Sequence, residues 1–542
     1  MKKRQNRFPN YLWSIAMLLW LVSSCSQNTS KKTEMTYDMA IKDQSQSYIS
    51  APPVPSMPEE PISGESYQDI PESRFMKTEE EPFSTFSIDV DRASYSNIRR
   101  FLNTNQLPPA QAVRLEEMIN YFDYEYKQPS GSQPFAVNTE MTDCPWNAKH
   151  RLVRIGLQGK DIKPARIPSS NLVFLIDVSG SMEEDDKLPL LQKSFHLLVN
   201  QLRKEDYVSI VVYAGAAGLV LPPTSGSEKN TILSALDNLK AGGSTAGGEG
   251  LKLAYKVAKQ NYIPKGNNRI ILATDGDFNV GVSSDDEMKT LVETERQKGV
   301  FMSVLGFGTG NYQDSKMEII ADNGNGNYFY IDSEKEANKI FVQELQGILL
   351  TIAKDVKIQM AFNPQTVKSY RLMGYENRIL SKEDFTNDKK DAGEIGAGHT
   401  VTALYEIEMN DNLVAANSKG KKADLLKKES FSSGDLFSLR LRYKQPDAET
   451  SQEIVYKKDT RSVAFADAST DMKFASSIAG FGMLLKDSQH KGNLTYERVI
   501  EIAGNAKGTD PNGYRAEAIE LIKKAAELSH HVAESIKTDE LR

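Results

Sequence analysis

Five short apolar runs between Leu172 and Ile331 constrain this chain more than any other feature. Leu172–Ile176 is continuously apolar, the mark of a strand covered on both faces. Tyr207–Tyr213, Arg269–Ala273, Val300–Leu305 and Gly326–Ile331 follow, separated by helical patterns over 188–202, 231–239, 249–260 and 286–297. This alternation predicts an α/β fold: a central doubly wound, mostly parallel sheet, which takes ligands beyond the C-terminal ends of its strands. A long helix over 334–353 is expected to close the central domain at 166–353.

A chain of 542 residues is too long for one core, so flanking domains are expected. Residues 81–165 read as a small α+β region. Phe83–Val90 alternates like a strand, and helices are predicted over Ser94–Leu102 and Val113–Phe122, the second with Leu115, Met118, Ile119 and Phe122 on one face. Asp89 and Asp91 read as helix caps after that strand rather than as metal ligands. Downstream, Val356–Phe362, Val401–Met409, Leu436–Tyr443 and Glu453–Tyr456 are short alternating segments between polar loops, predicting a β-rich, sandwich-like domain over 354–465. Residues 466–542 read as a helical region, with apolar faces through Phe474, Ile478 and Phe481, then Val499 and Ile502, then Ile519 and Ile522.

The first residues read as an export signal. Lys2, Lys3, Arg4 and Arg7 precede an apolar run over Tyr11–Val22, followed by Ser23, Ser24 and Cys25. That run is shorter than the ~20 residues needed to span a bilayer. A cysteine directly after small residues resembles a bacterial lipobox, although Val22 stands where leucine is preferred. The resemblance implies a signal peptide at 1–24 and a lipid anchor on Cys25. Residues 25–80 are rich in Ser, Pro, Gln and Glu and read as a flexible stalk. Ser26 gives no inner-membrane retention signal, so the expected location is the bacterial envelope, the outer membrane being favoured over the inner. Acylation of Cys25 leaves Cys144 as the sole thiol, which excludes an intramolecular disulfide and a cysteine metal site. The net charge of −7, with no basic stripe, argues against a nucleic-acid partner, and no small-molecule substrate is evident.

One constellation carries chemistry. Asp177, Ser179 and Ser181 follow directly on the buried run 172–176, Thr245 precedes a helix, and Asp275 sits just past 269–273. Five oxygen side chains thus gather at one predicted rim, a donor set that suits Mg²⁺ or Mn²⁺. Glu183, Glu184, Asp185, Asp186 and Asp277 read as a solvated acidic border.

The DxSxS, Thr and Asp pattern makes 169–345 resemble a von Willebrand factor type A domain with its metal-ion-dependent adhesion site. The resemblance implies direct ligation by Ser179 and Ser181, ligation by Thr245 directly or through water, and outer-sphere roles for Asp177 and Asp275. It implies a non-enzymatic module whose cation captures an acidic side chain of a protein partner. The flanking 83–161 and 466–533 blocks resemble regions that accompany this domain in a family of bacterial envelope proteins. Two alternatives stand beside it: a scaffold in envelope assembly or stress response, and a metal-assisted hydrolase, which would need a base or second metal that the motif's surroundings do not supply.

Overall fold

The computed structural model describes residues 64–88, 91–163, 167–244, 247–276, 285–310, 312–410, 431–432, 434–459 and 461–540. The chain begins with β1 (Met76–Lys77), β2 (Phe83–Ser87), helices α1 (Ala93–Asn103) and α2 (Leu115–Asn120), and the hairpin of β3 (Phe135–Asp143) and β4 (His150–Gly159). The central domain runs through β5 (Ser170–Asp177), α3 (Leu188–Gln201), β6 (Tyr207–Tyr213), β7 (Ala217–Ser225), α4 (Lys229–Asp237), α5 (Gly247–Gln260) and β8 (Asn267–Thr274). It continues with α6 (Asp285–Gln297), β9 (Phe301–Phe307), α7 (Asp314–Asn323), β10 (Tyr328–Ile331), α8 (Glu334–Asn338) and α9 (Leu345–Leu349). Strands β11 (Thr351–Phe362), β12 (Val367–Met373), β13 (Gly393–Gly396), β14 (Thr400–Met409), β15 (Asp435–Lys444) and β16 (Gln452–Asp459) follow, then α10 (Thr470–Leu485), α11 (Tyr496–Asn505) and α12 (Tyr514–Glu540).

The central sheet has the order β10-β9-β8-β5-β6-β7, parallel except for the last strand. Strand β5 explains its own apolar run. Leu172, Phe174 and Ile176 enter one core, where the Phe174 ring stacks on Phe195 at 4.3 Å. Val173 and Leu175 enter a second core on the opposite face, against Leu251, Ala254 and Ala258 of α5. The edge strand β7 was not expected from the sequence. Its Leu219 and Val220 are exposed, and Pro222–Pro223 interrupt the alternation that would announce it.

The two flanks of the central domain fold together. One antiparallel sheet has the order β1-β12-β14-β4-β3, so N-terminal strands pair with C-terminal ones, Thr400–Glu408 running against Gln158–His150. The facing sheet has the order β13-β11-β15-β16, with β2 on the edge of β11 beyond β13. Phe86, Val153, Ile155, Val356, Ile358 and Tyr405 share the core between them. The helices are joined in the same way. Tyr95, Met118 and Phe122 from α1, α2 and the turn after it pack with Phe474, Ile478 and Phe481 of α10. A Cβ at Gly482 would lie 2.4 Å from Leu115 Cδ2, so glycine there permits the close crossing of α10 on α2. No helix among the described residues is long and apolar enough to cross a membrane.

Three expectations are corrected. Residues 64–80, expected as flexible stalk, are folded onto the rest of the chain: Glu65 pairs with Arg100, Tyr67 packs against the core on the α5 side of the central sheet, and β1 pairs with β12. The single helix over 334–353 is instead α8, a π-helical turn at Lys339–Gln343 and α9, with β11 already under way at Thr351. The break falls at Glu344, whose half-buried carboxylate is held by Arg92 and Lys339. Asp91 does not cap α1, whose N-cap is Arg92 with no side-chain bond. Its carboxylate instead accepts from the Tyr328 backbone N–H at 2.9 Å and from Arg378 at 2.9 Å, tying the N-terminal segment to β10. Asp89 lies outside the described residues.

Candidate functional site

The parallel strands deliver Asp177, Ser179, Ser181 and Asp275 to one rim. Strand β5 ends at Asp177 and β8 at Thr274, so Asp177 and Asp275 lie side by side at the C-terminal edge of the sheet, each with 0% exposure. Asp177 is spent on internal bonds. Its Oδ1 accepts from the Ser179 backbone N–H at 2.9 Å and its Oδ2 from the Thr274 hydroxyl at 3.3 Å. Burial pushes its carboxyl up to about 6, bonds from Ser179 pull it back, and neighbouring Asp275 adds to the rise.

The loop after β5 brings the Ser179 and Ser181 hydroxyls within 3.1 Å of each other. It is locked against the two adjacent loops. Gly180 N–H donates to the Gly243 carbonyl at 3.1 Å, Gly242 N–H to the Val178 carbonyl at 2.8 Å, and Val178 N–H to the Tyr213 carbonyl at 3.0 Å. Ser244 is exposed beside this seam. Thr245, the third expected hydroxyl, lies outside the described residues, as does Asp277. Glu183, Glu184 and Asp185 are exposed, in keeping with an acidic border.

Sequence reasoning missed Lys187. Its ammonium lies 2.9 Å from the Ser181 carbonyl and 3.4 Å from Asp275 Oδ2, and the residue is 4% exposed. Gly308, at φ +71°, covers the lysine stem so closely that a Cβ there would stand 2.4 Å from Cγ and Cε. The only sequence signal was a lone lysine between an acidic run and an apolar helix, which reads as an ordinary helix start.

The expected Mg²⁺ or Mn²⁺ is corrected by this arrangement. Among the described residues no group of three or more His, Cys, Asp or Glu comes together that could hold a metal ion. The rim contributes two carboxylates, one committed to internal bonds and the other lying beside a lysine ammonium. The described members of the donor set read from the sequence do not fit a cation, because the positive charge beside Asp275 is supplied by the chain itself.

Three stretches of the chain match known families. Residues 171–344 match the von Willebrand factor type A domain, 61–154 a region described as von Willebrand factor, and 347–528 the C-terminal region of "Uncharacterized protein YfbK". The chain is 43% identical over 466 residues to the Escherichia coli (strain K12) protein of that name, covering 85% of this chain and 80% of that one. It is 24% identical over 256 residues to inter-alpha-trypsin inhibitor heavy chain H3 of Pongo abelii, 44% of this chain and 29% of that protein. Among solved structures, a von Willebrand factor type A protein from Catenulispora acidiphila superposes with a TM-score of 0.41 at 15% identity, covering 72% of this chain and 89% of that one. The chain belongs to the YfbK family and carries at its centre a von Willebrand factor type A domain, a protein-interaction module rather than an enzyme.

Proposed function

We propose that the protein is an envelope lipoprotein, anchored through acylated Cys25, that captures an acidic side chain of a protein partner at the rim of its central sheet. Among the described residues the rim is built by Asp177, Ser179, Ser181 and Asp275, with Lys187 as its resident cation. The observation that carries this reading is the Lys187 ammonium, placed between the Ser181 carbonyl and Asp275 on the loop whose Ser179 and Ser181 hydroxyls lie 3.1 Å apart. The hydroxyls and the ammonium are donors, and the two carboxylates are turned inward, so the group that complements the surface is an acceptor on the partner. Asp177 and Asp275 act by holding the loop and the lysine in place.

Co-isolation of partners from envelopes with the full chain, beside the Ser179→Ala/Ser181→Ala pair, tests this. The proposal expects a partner lost in the double variant and lost again when the partner's carboxylates are neutralised by carbodiimide coupling. Retention of the same partner under both treatments would overturn it. Metabolic labelling with a fatty acid tests the anchor separately: label is expected on the native chain and absent from Cys25→Ser.

A further inference from the structure

The end of the central sheet opposite the Ser179–Ser181 loop faces the sandwich, and a cavity of about 260 Å³ lies between them. Arg269, Asn325, Asn327, Glu344, Glu394 and His399 are among the residues that line it. Arg269 stands out chemically. It is 2% exposed, one guanidinium nitrogen donates to the Ser303 hydroxyl at 2.7 Å, and Nε has no hydrogen-bond partner. No described carboxylate forms an ion pair with it; Glu394 acts on it only at longer range. A buried guanidinium without a counter-ion is costly unless something in its pocket compensates it.

Glu394 is poorly placed to be that compensation. Its two oxygens are taken up by the Asn325 amide at 2.7 Å and the Thr351 hydroxyl at 3.1 Å. Burial pushes its carboxyl up to about 7, against the pull of Arg269. Of the other cations at the cavity wall, Arg92 is matched by Glu344 and Arg378 by Asp91, Glu318 and Asp322; Lys390 lines the wall as well. Burial and the neighbouring Arg92 keep His399 neutral, its imidazole held down at about 3.

We propose that this cavity is a binding site for a small organic carboxylate, whose charge pairs with the guanidinium of Arg269. Arginine's fork of donors matches a carboxylate's two oxygens. The cavity is smaller than the ~300–1,000 Å³ of drug-sized ligand sites, so the ligand has few heavy atoms. Glu344 and Glu394 at the same walls penalise a second negative charge, which favours a monocarboxylate over phosphate. Asn327 also lines the cavity, while the Asn325 side chain is engaged with Glu394 and Arg296. The site spans the junction of the central domain and the sandwich, so its ligand would brace the two.

Calorimetric titration of the full chain at about pH 8, where the Glu394 carboxyl is ionised, tests this with acetate and inorganic phosphate as probes. The expected result is saturable acetate binding, weakened about tenfold or more in Arg269→Gln. Glu394→Gln keeps an acceptor for Asn325 and Thr351 and removes the competing charge, so it should bind acetate more tightly than the native chain. Absence of acetate binding in both the native chain and Glu394→Gln would overturn the proposal, as would unchanged affinity in Arg269→Gln or a preference for phosphate. Should Arg269→Gln fail to fold, the direction of change in Glu394→Gln decides alone.

Discussion

Replacing Glu344 by Gln should destabilise the protein by about 3–5 kcal/mol at neutral pH. Glu344 sits at the break between the π-helical turn and α9, where the central domain hands the chain to the sandwich. Burial alone would raise its carboxyl, but Arg92 and Lys339 outweigh burial and hold it down at about 2 from an ordinary 4.5. A drop of that size is worth about 3 kcal/mol of folding free energy. Because the folded value is the depressed one, this stability is complete above pH 4.5 and is lost as pH falls through about 2. Glutamine removes the charge and leaves the Arg92 and Lys339 side chains, 5% and 1% exposed, buried without their counter-ion. Urea unfolding followed by circular dichroism at pH 7 and at successively lower pH measures the difference. The penalty should be largest at pH 7 and should shrink as the native protein itself loses the Glu344 charge. A variant within about 0.5 kcal/mol of the native protein at pH 7, or a penalty that stays constant into acid, would refute the reasoning.

Further outcomes follow from the packing. Phe174→Ala removes a ring stacked on Phe195 in a fully buried core and should cost about 3–5 kcal/mol in the same assay. Gly308→Ala combines a left-handed backbone with a Cβ that meets the Lys187 stem; it should cost about 1–3 kcal/mol and reduce partner capture by displacing the ammonium. Truncation after residue 465 strips α10–α12 from Tyr95, Met118 and Phe122, so the shortened chain should aggregate on size-exclusion chromatography instead of eluting as a folded monomer with one domain fewer.

The sequence made the central sheet readable because its information is local. An apolar run such as Leu172–Ile176 states that both faces are covered, and the spacing from Asp177 to Ser181 states that a loop follows. What it could not state is which distant segments meet. Strand β4 pairs with β14, and β2 with β11, across the whole length of the central domain, and antiparallel pairing at that separation leaves no local signature. The joining of the two flanks was therefore invisible, as were β12 and β13. The helix expected over 334–353 had the right composition, but the charge pairing at Glu344 overrides propensity there. At the site, the structure brings Asp177, Ser179, Ser181 and Asp275 to one rim, while Lys187 escaped notice and the cation was over-read. Oxygen side chains converging on a strand end look alike in sequence whether a metal or a lysine ammonium balances them.

Photo-crosslinking in living cells tests the central claim, that partners are captured at the rim formed by the loops after β5, β6 and β8, most directly. A photo-reactive phenylalanine analogue at exposed Ser244 would stand beside the rim, and one at exposed Tyr262, near the start of β8, would stand at the other end of the sheet. The account predicts a discrete adduct with an envelope protein from position 244 that disappears in the Ser179→Ala/Ser181→Ala background, and none from position 262. An adduct from 262 alone, or one from 244 that survives the double substitution, would contradict it.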